Sequence, residues 1–346
     1  MIKIFTLLNK EEWISYVGNS AEYDFYHTWH YHSLETAGDP VLFIYEELDT
    51  FIGFPLLQRK IPGSDYSDLT CVYGFSGPFS NKKIDEIDEE LMENFKSAFN
   101  NFLVKEKYVS VFVRLHPFYK QQKLLEKFGG VHENGKTVVL DLSLPIDEQR
   151  KKYRQSTMDA IKHAWKKGFR IEDETNTAGI KTFVEIYTEN MKRVGASNYY
   201  LFNEKYFSEI LNTSEYDARL LTVYYNDTAI ASTIIVFTNG IIQAHLVGTR
   251  AEYLHHSPTK FLADYITQIG REKGMKYYNL GGGLGFKNDK LFDWKCASPT
   301  STLILKHGGM LPTRKYTKSF CRIRALKKMP EVDFFRYTDT LKIIPK

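Results

Sequence analysis

Cysteine is scarce in this sequence of 346 residues: Cys71, Cys296 and Cys321 are the only three. An odd, widely spaced set gives neither a disulfide framework nor a CxxC pair, and it points to a reducing compartment. Long apolar runs are lacking too. The longest, such as AIASTIIVF, fall far short of the roughly 20 residues a membrane helix needs. The opening MIKIFTLLNKEEW has no basic stretch leading into an apolar core, so no secretory signal is expected and the expected location is cytoplasmic. No sign of charge dominates, with 46 Lys and Arg against 42 Asp and Glu and a net charge of +4. That balance suits an anionic ligand and falls short of a dedicated nucleic-acid binder. Neither the GxxxxGK[ST] phosphate loop nor an HExxH metal motif occurs.

What is present is ordinary globular composition, 43% hydrophobic and 25% charged, in a chain long enough for two domains. A repeat organises it. VLFIYEELDTFIGFPLLQRKIPG, after Pro40, and LLTVYYNDTAIASTIIVFTNG, after Arg219, each read as a β-hairpin with an Asp-Thr pair at its turn, Asp49-Thr50 and Asp227-Thr228. A helical stretch precedes each, NKEEWISYVGNS and IKTFVEIYTENMKRV. A strand or loop, a helix and a strand follow each. In the first half that helix is IDEIDEELMENFKSAFNNFLVKEK, where Ile87, Leu91, Phe95, Ala98 and Phe102 make one apolar face. In the second it is KFLADYITQIGREKG, followed by MKYYNLGG.

Between the halves, KTVVLDLSLP alternates like a strand closing the first domain, and a helix runs from near Asp147 to Lys166-Lys167-Gly168. The expected division is 1–145, 146–312, and a basic helical segment at 313–346 packing back on the first domain. The fold class expected is mixed α/β, with a central sheet flanked by helices in each half.

Several segments, in order along the chain, carry a family resemblance: YHTWHYHSLE, VYGFSGPFS, FVRLHPFY, YRQSTMDAIKHAWKKGFRI, IYTENMKRVGASNYYLF and NLGGGLGFKNDKLFDWKCASP. Together they resemble the FemABX-type transferases of the GNAT N-acyltransferase superfamily. The resemblance implies two tandem GNAT-like domains with a cleft between them. It implies transfer of an acyl or aminoacyl group to an amine of a cell-wall or surface-polysaccharide precursor. The sequence departs from the best-known members in having no long helical hairpin arm in its second domain. It also lacks the Q/R-x-x-G-x-G/A loop of coenzyme A-dependent relatives, in whose place stands RAEYLHHSPTK.

Acyl transfer requires a polarised carbonyl, a stabilised oxyanion and a deprotonated amine. Lys295, after Trp294, is the expected oxyanion- or phosphate-stabilising cation, as in the matching family position; the alternative is a solvated lysine in a polar turn. His245, within the strand IIQAHLVGT, is the expected proton acceptor, or else a core histidine. Donor binding is expected at Gly281, Gly282 and Gly283, which permit close backbone approach. It is also expected at Ser257, Thr259 and Lys260, where Ser caps and Pro258 opens a helix. His30, Tyr31, His32, Tyr73, Arg114 and His116 are expected to line an acceptor pocket, with Arg193, Tyr199 and Tyr200 near it by resemblance. No metal is expected.

No tightly bound cofactor is expected. The donor is aminoacyl-tRNA or acyl-CoA, and the partners are a nucleotide- or lipid-linked glycan precursor, charged tRNA and a peripheral membrane contact, with no stable nucleic-acid complex. Two other readings stay open: an acyl-CoA-dependent N-acetyltransferase acting on an amino sugar, and a non-catalytic duplicate that binds a polymer or partner.

Overall fold

The computed structural model describes residues 1–196, 200–283, 285, 287–298 and 301–310. The expected 313–346 segment and Tyr199 lie outside the described residues. The chain divides into two compact units, Met1–Asn134 with the segment from Leu305, and Gly135–Ile304.

The first unit begins with β1 (Ile2–Thr6), α1 (Lys10–Gly18) and α2 (Trp29–Ser33). It continues through β2 (Asp39–Glu47), β3 (Thr50–Lys60), β4 (Ser67–Thr70), a short β5 (Phe79–Ser80), α3 (Glu89–Lys105), β6 (Tyr108–Leu115) and α4 (Gln122–Leu125). The expected hairpin is β2–β3, paired antiparallel from Asp39↔Gln58 to Glu47↔Thr50. Its turn places exposed Leu48 at φ 53°. β4 and β6 run parallel, so the link between them must cross over, and α3 makes that crossing. The apolar face of α3 buries Leu91, Phe95 and Phe99 against the sheet. Phe43 sits 5.9 Å from Phe95 and 5.0 Å from both Phe99 and Phe102, ring centre to ring centre.

The second unit contains β7 (Val131–Asp141), α5 (Ile146–Lys151), α6 (Gln155–Lys166), β8 (Arg170–Asp173), α7 (Thr177–Arg193), α8 (Glu204–Leu211), β9 (Asp217–Tyr225) and β10 (Thr228–Thr238). β11 (Ile241–Thr249), α9 (Pro258–Glu272), β12 (Tyr277–Gly281) and α10 (Lys290–Lys295) complete it. β13 (Ser301–Met310) then returns to pair with β6. The β9–β10 hairpin turns at Asn226 and Asp227, both at positive φ, 47° and 60°, the signature of a two-residue turn matched to strand twist. α6 and α9 cover one face, burying Ile161, Ala164, Phe261 and Ile266 with Ile235 and Ile242.

The two units share one strand order. In the first it is β1-β2-β3-β4-β6-β13; in the second it is β8-β9-β10-β11-β12-β7. In both, the fourth and fifth strands are parallel and every other neighbour is antiparallel. In each unit the last strand of that order comes from a distant part of the chain. β7 was expected to close the first domain; its partner is β12, from Tyr277↔Asp141 to Gly281↔Val138. The single helix expected from Asp147 to Lys167 is two, α5 and α6. Between them, the Arg154 N–H donates to the Ala297 carbonyl at 2.9 Å, which turns the chain.

Because Phe99 is fully buried among other rings, Phe99→Ala should destabilise the first unit by about 3–5 kcal/mol, read by urea denaturation. A loss under about 1 kcal/mol would contradict the packing described.

Candidate active site

β11 and β12 pair only from Ile241↔Tyr277 to Gln243↔Asn279. β11 then continues to Thr249, while β12 ends at Gly281. Beyond the last pair the strands share no further ladder. His245 lies two residues past the pairing on β11, and Gly281 two residues past it on β12.

His245 occupies a β-bulge. Ile234 pairs with Leu246 and Ile235 with Ala244, leaving His245 as the extra residue. Bulges re-aim side chains and recur beside active sites. The side chain is buried, with Nε2 3.3 Å from the Tyr206 hydroxyl of α8.

Lys295 ends α10, a helix and not the polar turn of the alternative reading. Asp289 caps this helix, accepting from the Phe292 N–H at 2.8 Å. The Ala297 carbonyl just beyond accepts from Arg154 and, at 3.1 Å, from the Thr157 hydroxyl, tying the end of α10 to the start of α6. Lys295 Nζ donates to the Gly282 carbonyl at 2.7 Å. Gly281 has φ 77°, and a Cβ there would stand 3.2 Å from that ammonium. A Cβ on Gly283 would press on the Lys287 carbonyl and Asp289 Oδ1, at 2.1 and 2.5 Å. Lys295 is half-buried. That burial pulls its pKa from 10.5 to about 8, with Asp289 opposing.

Further cations gather in this unit. Burial, with Arg154 nearby, lowers the Lys260 pKa. Lys260 Nζ lies 3.5 Å from the Ser156 carbonyl. Burial raises the Cys296 thiol pKa, and the fields of Arg154 and Lys136 oppose that rise. Ser257 precedes α9 but does not cap it. It also ends a 3₁₀ turn, Ala251–His256, and sits at φ 51°, ψ 47°, whereas side-chain capping uses extended geometry. Thr259 lies in the first turn of α9.

In the first unit, the Tyr31 hydroxyl donates to the Tyr73 carbonyl at 2.7 Å, and the Tyr73 N–H donates to Glu35 at 3.2 Å. Arg114 reaches the Val72 carbonyl at 3.5 Å and Cys71 Sγ at 3.7 Å. Burial raises the Glu35 pKa, against the pull of the Tyr73 N–H and Arg114. The structure thus brings Tyr31, Tyr73 and Arg114 together and adds Glu35, the last residue of YHTWHYHSLE. His30 is half-buried on α2.

Two expected pocket residues lie in the interior. His32 packs on Trp13 at 5.0 Å, with Nδ1 3.0 Å from the Thr28 carbonyl. His116 Nε2 lies 2.8 Å from Asp24 Oδ2, both side chains fully buried, and its ring stacks on Tyr119 at 3.9 Å. Arg193 lies at the exposed end of α7, donating to Asn190 at 2.6 Å. Tyr200 is half-buried. Among the described residues, no group of three or more His, Cys, Asp or Glu side chains could hold a metal ion, and no helix is long and apolar enough to cross a membrane.

Burial holds the pKa of His27 at about 4 and that of His32 at about 3, against 6.5 when free. The unfolded chain takes up protons below pH 6.5 that the folded one refuses. Stability should therefore be complete above that pH and fall as pH drops toward 4. Each histidine adds a slope approaching about 1.4 kcal/mol per pH unit. Urea midpoints between pH 7 and 5 test this; an unchanged slope in His32→Leu would contradict it.

Residues 150–295 match the family of GNAT acetyltransferase domains. Among solved structures the chain is similar to FemX, at 13% identity over 94% of this chain and 100% of that one, with a TM-score of 0.69. It is similar to L-PGS from Bacillus licheniformis at 13% identity, over 93% and 98%, with a TM-score of 0.58. It is also similar to a conserved protein of unknown function from Bacteroides thetaiotaomicron at 11% identity, over 90% and 100%, with a TM-score of 0.56. No curated protein sequence matches. The chain has the fold of FemX, its residues 150–295 match GNAT acetyltransferase domains, and the protein is an acyltransferase.

Proposed function

We propose that the chain transfers an acyl or aminoacyl group to an amine of a cell-wall or surface-polysaccharide precursor, with the donor held by the second unit. The observation that carries this reading is Lys295: an ammonium bonded to the Gly282 carbonyl, beside Gly281–Gly283, where β11 and β12 part, inside the segment matched to GNAT domains, with burial lowering its pKa.

In acyl transfer the amine attacks the donor carbonyl and negative charge develops on its oxygen. A fixed cation in a poorly solvated place stabilises that charge far more than it does in water. Lys295 is assigned that part. His245, re-aimed by its bulge, is assigned the proton released by the attacking amine; as the tetrahedral intermediate collapses, the donor's thioester C–S or ester C–O bond breaks and the coenzyme A thiol or the tRNA ribose hydroxyl leaves, taking up that proton. Lys260, with Arg154 and Lys136, suits a phosphate-bearing donor, aided by Thr259 in the first turn of α9. Ser257 contributes its backbone rather than a capping side chain. Tyr31, Tyr73, Arg114 and Glu35 of the first unit are assigned to the acceptor, with His30 beside them. Arg193, Tyr199 and Tyr200 remain assigned to it on the resemblance alone.

The donor divides two readings. The family match names acetyltransferases, which favours an acyl-CoA. The FemX fold and the absent Q/R-x-x-G-x-G/A loop favour aminoacyl-tRNA. The acceptor is a nucleotide- or lipid-linked precursor, reached in the lipid case by a peripheral contact from the cytoplasm.

Incubation with amine-bearing nucleotide- and lipid-linked precursors, plus either acetyl-CoA or charged tRNA, should give a product mass shift with one donor class. Lys295→Ala should lower kcat by on the order of 100- to 1000-fold with an unchanged melting curve. Undiminished turnover in that variant would remove the assignment.

A further inference from the structure

We propose that Asn279 is a positioning residue for Lys295: its buried amide, clamped between Thr137 and Gln243, sets the Gly281 turn whose next carbonyl holds the lysine ammonium. The inference rests on the reading of Lys295 given above and extends it to residues that touch no substrate.

Thr137 of β7, Asn279 of β12 and Gln243 of β11 lie on three neighbouring strands and are 0%, 1% and 2% exposed. The Thr137 hydroxyl donates to Asn279 Oδ1 at 2.5 Å, and Asn279 Nδ2 donates to Gln243 Oε1 at 2.8 Å. Asn279 Oδ1 also accepts the Gly281 N–H at 3.0 Å. One amide therefore spans three strands and reaches forward to the glycine turn. The ladder to β7 slips between Asn279 and Gly281 before Gly281 pairs with Val138. The Asn279 side chain bonds across that slip and adds a restraint on Gly281. Gly281 then turns at φ 77° and aims the Gly282 carbonyl at Lys295 Nζ. A buried polar network with every member bonded is rigid, and loss of one bond leaves the remaining groups unsatisfied. Gln243 is two residues from His245, so the same amide links the strand carrying the proposed proton acceptor to the loop holding the proposed cation.

The variants are Thr137→Val, which deletes a single hydroxyl, and Asn279→Leu. Lysines are methylated with ¹³C-formaldehyde, the Lys295 resonance is assigned with Lys295→Arg, and its titration is followed by NMR on the whole chain. In the wild type the midpoint should lie at about 8. Loosening the turn lets water reach the ammonium, while its charged neighbour Asp289 is untouched. The midpoint should therefore rise by about one pH unit or more, tenfold in the protonation constant. With the working donor, kcat should fall while KM for the donor holds. A folded Thr137→Val or Asn279→Leu protein in which the Lys295 midpoint stays at the wild-type value overturns the proposal. Should the midpoint move while turnover is unaffected, the positioning role stands and the catalytic assignment of Lys295 fails.

Discussion

A half-buried ammonium bonded to a backbone carbonyl is the interaction on which the proposed site of the second unit depends. Desolvation disfavours the charged lysine, and among the described residues the Gly282 carbonyl at 2.7 Å and the charge of Asp289 oppose it. For that carbonyl to be in place, Gly281 must turn left-handed without a side chain. The helix carrying the lysine must also be tied down, which Asp289 does at one end and the bonds to Ala297 at the other. What results is a cation that gives up hydration in exchange for a fixed position, the state in which it acts most strongly on charge developing at a nearby carbonyl.

The shared strand order lets the two units be compared position by position. In the first unit the parallel ladder ends at Thr70↔Phe112, and in the second at Gln243↔Asn279. Two residues beyond stand Arg114 in one and Gly281 in the other. Arg114 fills its place, turning its guanidinium onto the Val72 carbonyl and Cys71. Gly281 leaves room that the Lys295 ammonium approaches. One architecture thus carries a cation of its own strand in the first unit and a cation brought from α10 in the second. The GNAT match falls on the second.

Much of this was readable from local pattern. Both hairpins, their Asp-Thr turns and the crossover helices with apolar faces follow from nearest-neighbour chemistry, and the structure has them. What the sequence hid depends on distant partners. KTVVLDLSLP alternates as a strand should, but alternation does not name the neighbouring strand, and β7 pairs with β12 more than a hundred residues later. The break between α5 and α6 comes from a carbonyl at Ala297. His32 and His116 looked like pocket residues because burial leaves no local mark. Glu35 and Asn279 were passed over because a single carboxyl or amide acquires meaning only from what it bonds, and Ser257 carries a capping residue in a backbone conformation that does not cap.

The most direct test of the central claim is a crystal structure of the chain soaked with two probes in turn, an acetyl-CoA thioether analogue and an amide-linked aminoacyl-adenosine. The account predicts that one of them binds the second unit, with its acyl oxygen within hydrogen-bonding distance of Lys295 Nζ and the bond to the Gly282 carbonyl lengthened or replaced. A bound probe whose acyl group lies away from Lys295, with that bond intact, would contradict it.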